Sequence, residues 1–136
     1  MKKQVEDWIL LADDDLRAAE IILNDESHLT NICAFHCQQA IEKYLKAYLV
    51  EKSVPLIKTH DLIKLNGMIN EIENIGIDEK KLFAVNEIYT ESRYPGELGL
   101  VPSGMPTEEE AKEFLEYAKE IKTIICRAID GRIESC

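Results

Sequence analysis

Chemistry in this chain concentrates on one stretch, Gln38-Gln39-Ala40-x-Glu42-Lys43-x-x-Lys46-Ala47, where a glutamine pair, a carboxylate and two lysines interrupt core-forming residues. Polar groups on a central helix are costly unless something satisfies them. Glu42 and Lys46 stand four residues apart, so they can close an intrahelical ion pair, worth about 0.3 to 0.5 kcal/mol when exposed. The other reading is a surface for a ligand or partner. Just upstream, Cys33, His36 and Cys37 share little more than one helical turn, and thiolate and imidazole are good zinc ligands. The Cys-x2-Cys spacing and a second ligand pair are both missing, so these read as buried thiols and no metal is expected. A Cys/His nucleophilic pair would need an activated thiolate and a third group to orient the imidazole, and the sequence offers neither. The carboxylate runs Asp13-Asp14-Asp15 and Glu108-Glu109-Glu110 read as a solvated face and a helix start. The glycines between 94 and 106 form no phosphate cradle, which also needs a preceding strand.

The elements that must position these groups are helices. Val5, Trp8, Ile9, Ala12, Leu16, Ala19 and Leu23 recur at the spacing of one helix face and predict a helix from about Gln4 to Leu23. A second helix is predicted from about Thr30 to Lys52, with Ala34, Cys37, Ile41, Tyr44, Leu45 and Tyr48 covering a broad arc. It is the central helix, ended by Ser53-Val54-Pro55. Thr59 is expected to cap a third helix with Leu62, Leu65, Ile69 and Ile72 inward, stopped at Gly76. Asp78 then caps a fourth that reaches about Arg93, with Leu82, Val85, Ile88 and Tyr89 inward. Three prolines and three glycines between 94 and 106 make a long loop, functional or disordered. Thr107-Glu108-Glu109-Glu110 matches a capping box that opens a last helix, with Ala111, Phe114, Ala118, Ile121, Ile125 and Ile129 as its stripe. No strand-like alternation occurs. The expected fold is all-α, an antiparallel up-and-down bundle of four to five helices forming one domain over 1–130, with a frayed tail at 131–136.

The 136 residues are 46% hydrophobic, enough for one contiguous core and too few for two. Charged residues make up 31%, and no apolar run approaches the roughly 20 residues that cross a bilayer. The start, Met1 to Asp7, meets acidic residues before any sustained apolar stretch, which is unlike a signal peptide. A soluble, cytoplasmic protein without membrane contact is expected. Four unevenly spaced cysteines fit reduced thiols better than a disulfide framework. A net charge of −10 works against nonspecific attraction to nucleic acid. Lys43 to Lys64 departs from that average, carrying +3 and leaving −13 elsewhere, so a local basic face is expected.

Three segments, taken in order, carry a resemblance. They are the Gln38 to Ala47 stretch, then Thr59-His60-Asp61-Leu62, then Arg93-Tyr94-Pro95. Over nearly its whole length the chain resembles the HEPN family, small helical domains proposed to bind nucleotides. The resemblance implies an up-and-down bundle, a homodimer, and pairing with a minimal nucleotidyltransferase in toxin-antitoxin systems. Many such relatives are metal-independent ribonucleases marked by an Arg-x4-6-His motif, in which arginine stabilises phosphate charge and histidine moves a proton. No histidine follows Arg17, Arg93, Arg127 or Arg132 at that distance, so nuclease activity does not carry over. The leading expectation is therefore a non-catalytic HEPN-type subunit, without cofactor, that binds an ATP-like nucleotide, a nucleotidyltransferase-like protein, or both. In it Lys43 and Lys46 meet phosphate, and Arg93 and Tyr94 offer a guanidinium fork and a stacking ring. Gln38, Gln39, Glu42 and His60 complete the ligand or partner site. Two alternatives stand beside it. One is a divergent metal-independent ribonuclease acting on RNA through His60 and Arg93; the other is a plain dimeric scaffold. In the bland reading of His60, the imidazole simply hydrogen-bonds within a helix start.

Overall fold

The computed structural model describes residues 2–93 and 105–130, the side chains of 88–93 and 130 excepted. They form a helical bundle of five helices: α1 (Lys3–Asp25), α2 (Thr30–Glu51), α3 (Leu62–Asn70), α4 (Glu79–Arg93) and α5 (Glu108–Asp130). No strand occurs among the described residues. The predicted stripe of α1 is buried at Val5, Ile9, Ala12, Leu16, Ala19 and Leu23. The broad apolar arc predicted for α2 is the reason it lies at the centre, where it packs on each of the other four helices. Fourteen of its residues are buried, among them Tyr44 and Tyr48. α1 runs antiparallel to it, as the pairing of Trp8 with Lys46 and of Ala19 with Cys33 requires. Phe114, Leu115, Ala118, Ile121 and Ile125 of α5 close the core from the other side.

The starts of α3, α4 and α5 follow local hydrogen-bond chemistry, with one correction, whereas α1 and α2 begin without a side-chain cap. Asp78 accepts from the amides of Lys80 and Lys81 at the head of α4. Thr107 and Glu110 exchange the two reciprocal bonds of a capping box, 3.0 and 2.9 Å. The cap of α3, however, is Asp61 and not Thr59. Its carboxylate accepts from Ile63 and Lys64 at 3.0 and 3.3 Å, while Thr59 Oγ1 accepts from the Asp61 amide. The helix starts late because Gln38 of α2 holds the His60 carbonyl at 3.1 Å, fixing the chain outside helical geometry up to that point. α3 also ends at Asn70, well before Gly76, and Ile72 is exposed instead of inward. Asn66 and Asn70 both donate to Glu79, tying the end of α3 to the head of α4. Gly76 then supplies the φ of +90° that the connection needs.

The expected solvated face at Asp13-Asp14-Asp15 holds only for Asp14. Asp13 accepts from the Tyr44 hydroxyl and faces Lys122 at 3.1 Å, and Asp15 receives Lys43 and His36. Both flank the buried Ala12–Leu16 line, so both look toward a neighbouring helix. The thiols of Cys33 and Cys37 are free and buried, whereas Cys126 is disulfide-bonded, a departure from the expectation of four reduced thiols. Count and uneven spacing argue against a framework of several bridges; they do not forbid one bond. No helix among the described residues is long and apolar enough to cross a membrane. Most of the 94–106 loop and the 131–136 tail lie outside the described residues.

Candidate functional site

Gln38, Glu42 and Lys46 stand at steps of four along α2 and therefore form one row on its surface. The row is turned inward. Glu42 and Lys46 are 4% and 10% exposed and pair at 3.0 Å, so the exposed salt bridge considered from sequence is a buried one. Trp8 of α1 lies under the ammonium, 5.5 Å from ring centre to Nζ, and adds a cation–π contact. The second carboxylate oxygen of Glu42 accepts from His60 Nδ1 at 2.9 Å. Gln38 donates to the His60 carbonyl, and Gln39 donates to Gln38 Oε1 at 2.8 Å. Two of the three signature segments, far apart in sequence, thus close into one polar network. Asp61 extends it to α4, since Asn86 Nδ2 donates to its carboxylate and Asn86 Oδ1 accepts from the Leu62 amide.

His60 is 70% exposed. Nδ1 is committed to the Glu42 carboxylate, which leaves Nε2 as the ring nitrogen without that partner. A ring oriented in this way is more than the helix-start hydrogen bond of the bland reading. Lys43 lies on a second row of α2, with Ile32, Phe35, His36 and Gln39. It is held by Asp15, which also accepts from His36 Nδ1 at 2.9 Å. Lys52 approaches Glu73 at 3.8 Å. Three of the five lysines between 43 and 64 are therefore matched by carboxylates, and the local basic face expected there is largely neutralised. Arg93 closes α4 with its side chain outside the described residues, and Tyr94 lies wholly outside them.

Sequence reasoning missed Asp15, His36, Trp8 and Asn86 as members of these networks. The signal for Asp15 was available in its place at the edge of the α1 stripe; the pairing of Asn86 with Asp61 has no local signal. Cys33 and Cys37 face the core while His36 leaves it toward Asp15, which separates the three groups weighed as zinc ligands. Among the described residues no group of three or more potential ligands gathers.

A five-helix bundle whose polar signature braces the central helix against the loop before α3 is a domain built on internal scaffolding at its motif residues. Its affiliation is plain: the HEPN domain matches residues 5–129, and the chain belongs to that family. Neither the curated proteins nor the solved structures give a match.

Proposed function

We propose that this chain is a non-catalytic HEPN-type subunit that works chiefly by docking a protein partner of nucleotidyltransferase-like kind, in a toxin-antitoxin-type pair. The observation that carries the reading is the pairing of Lys43 with Asp15 and of Lys46 with Glu42. A phosphate would have to displace a carboxylate from each ammonium before either lysine could grip it, and a desolvated pair resists that. An ATP-like nucleotide is then left with the exposed edge of His60 and the Arg93–Tyr94 segment. The homodimer has its own support in α2, where Ile32 and Phe35 are exposed on the row that carries His36, with Phe35 edge-on to that ring at 5.2 Å. Co-expression with a nucleotidyltransferase-like protein should yield a complex on size exclusion. Calorimetry with ATP should show weak binding that Lys43→Ala/Lys46→Ala does not abolish. No complex, together with tight ATP binding lost in that variant, would replace docking with a phosphate site on α2.

The ribonuclease reading has one specific observation in its favour, the imidazole of His60 set by buried Glu42 with Nε2 left outside that bond. A histidine so oriented is equipped as a general base. If the chain cleaves RNA, His60→Ala abolishes cleavage and Glu42→Gln lowers it; cleavage untouched by His60→Ala rules this reading out.

A further inference from the structure

The space between α4 and α5 shares no lining residue with the motif networks. Among the described residues it holds a cleft of about 470 Å³. Its floor is apolar: Val85, Phe114 and Tyr117 are buried, and Ala84 continues it toward solvent. Tyr117 is fixed there because its hydroxyl donates to the Asp78 carbonyl at 2.8 Å. The rim carries one sign in excess, with Glu109, Glu113, Glu116 and Glu120 against Lys81 and Lys112. Lys81 lies along the wall, 3.8 Å from Glu120 and 5.9 Å from the Tyr117 ring centre. The four glutamates fall at i, i+4, i+7 and i+11 on α5, one side of the helix and a row about 16 Å long. An apolar trough bordered by such a row is complementary in charge and length to a short helix with an apolar stripe and Lys or Arg beside it at the same spacing.

We propose that the α4–α5 cleft docks an amphipathic, basic helical segment of a partner protein. The inference rests on the docking reading above and gives that partner a chemistry. The test titrates the full chain, by fluorescence anisotropy, into a labelled three-turn leucine and lysine peptide and into its lysine-to-glutamate counterpart. Saturable binding of the basic peptide alone is expected. Glu113→Lys/Glu116→Lys, at exposed positions, should weaken it by about tenfold or more. Ala84→Trp, which fills the cleft from its open side without changing charge, should also weaken it, and this separates cleft docking from attraction to an acidic protein in general. Leu10→Ala, at an exposed position of α1 outside the cleft lining, should leave it unchanged. No saturable binding, equal binding of the acidic peptide, or indifference to Ala84→Trp overturns the proposal. A nucleotidyltransferase-like protein that co-purifies although the peptide fails overturns the cleft alone. Peptide binding without such a partner overturns the partner's identity and keeps the cleft.

Discussion

At the scale of single residues, Lys46 and Glu42 show how burial changes the meaning of a spacing. Four residues apart on a helix, they were legible as a pair; that the pair is desolvated was not, because the residues that cover it come from α1 and from the loop before α3. Removing one partner of a buried pair strands the other charge, so Lys46→Ala should cost about 3 to 5 kcal/mol in urea unfolding, far above a surface pair. Lys46→Met combined with Glu42→Leu should recover most of that loss. An equal and small effect for both variants would place the pair in solvent. The tyrosines answer to pH. Burial first, then the hydrogen bond to Asp13, pushes the Tyr44 phenol up; burial and Glu73 do the same for Tyr48, and burial with Asp78 nearby does so for Tyr117. A folded-state shift upward means stability is intact below the unfolded value of about 10 and is lost as pH rises beyond it. Absorbance at the phenolate band should therefore show these three titrating only with alkaline unfolding, whereas Tyr44→Phe, which keeps the ring, should flatten part of the fall in stability above that pH.

At the scale of elements, the helices were readable because their apolar residues recur with helical period and the starts of α3, α4 and α5 carry capping side chains. What escaped was the start and end of α3. Thr59 and Asp61 are equally good caps on local grounds, and the choice between them is made at long range, by Gln38 holding the His60 carbonyl and Asn86 reaching Asp61. Asp61→Ala should accordingly cost about 1 to 2 kcal/mol by urea unfolding, the upper part of the range for a lost N-cap, and Thr59→Ala clearly less. The reverse order would return the cap to Thr59. Gln38→Ala should loosen the same junction from the other side, and its effect should be non-additive with that of Asp61→Ala, because the two act on one stretch of backbone.

At the scale of the whole molecule, net charge and signature residues point in different directions. The sequence gives a chain of −10 with a basic island; folding matches much of the island with carboxylates drawn from α1, α2 and the turn after α3, so the assembled surface is more uniformly acidic than the sequence profile suggests. The family and bundle were legible from three short segments in order, while the inward use of two of them depends on contacts that no single segment contains. If Ile32 and Phe35 join two copies, Ile32→Asp/Phe35→Asp should shift sedimentation from dimer to monomer with little change in melting temperature, since both positions are exposed in one chain. A dimer that survives the change uses another face.

The central place of α2 has a practical consequence for watching this protein unfold. Cys33 and Cys37 sit on it with no exposed surface, so neither sulfur can be reached while the bundle is closed. An alkylating reagent therefore meets these sulfurs only when the helices around α2 part. With reagent in excess, the labelling rate at these two positions becomes a clock for opening of the bundle. It should slow when a partner clamps the domain shut and run ahead of any change in helix content when only the core breathes.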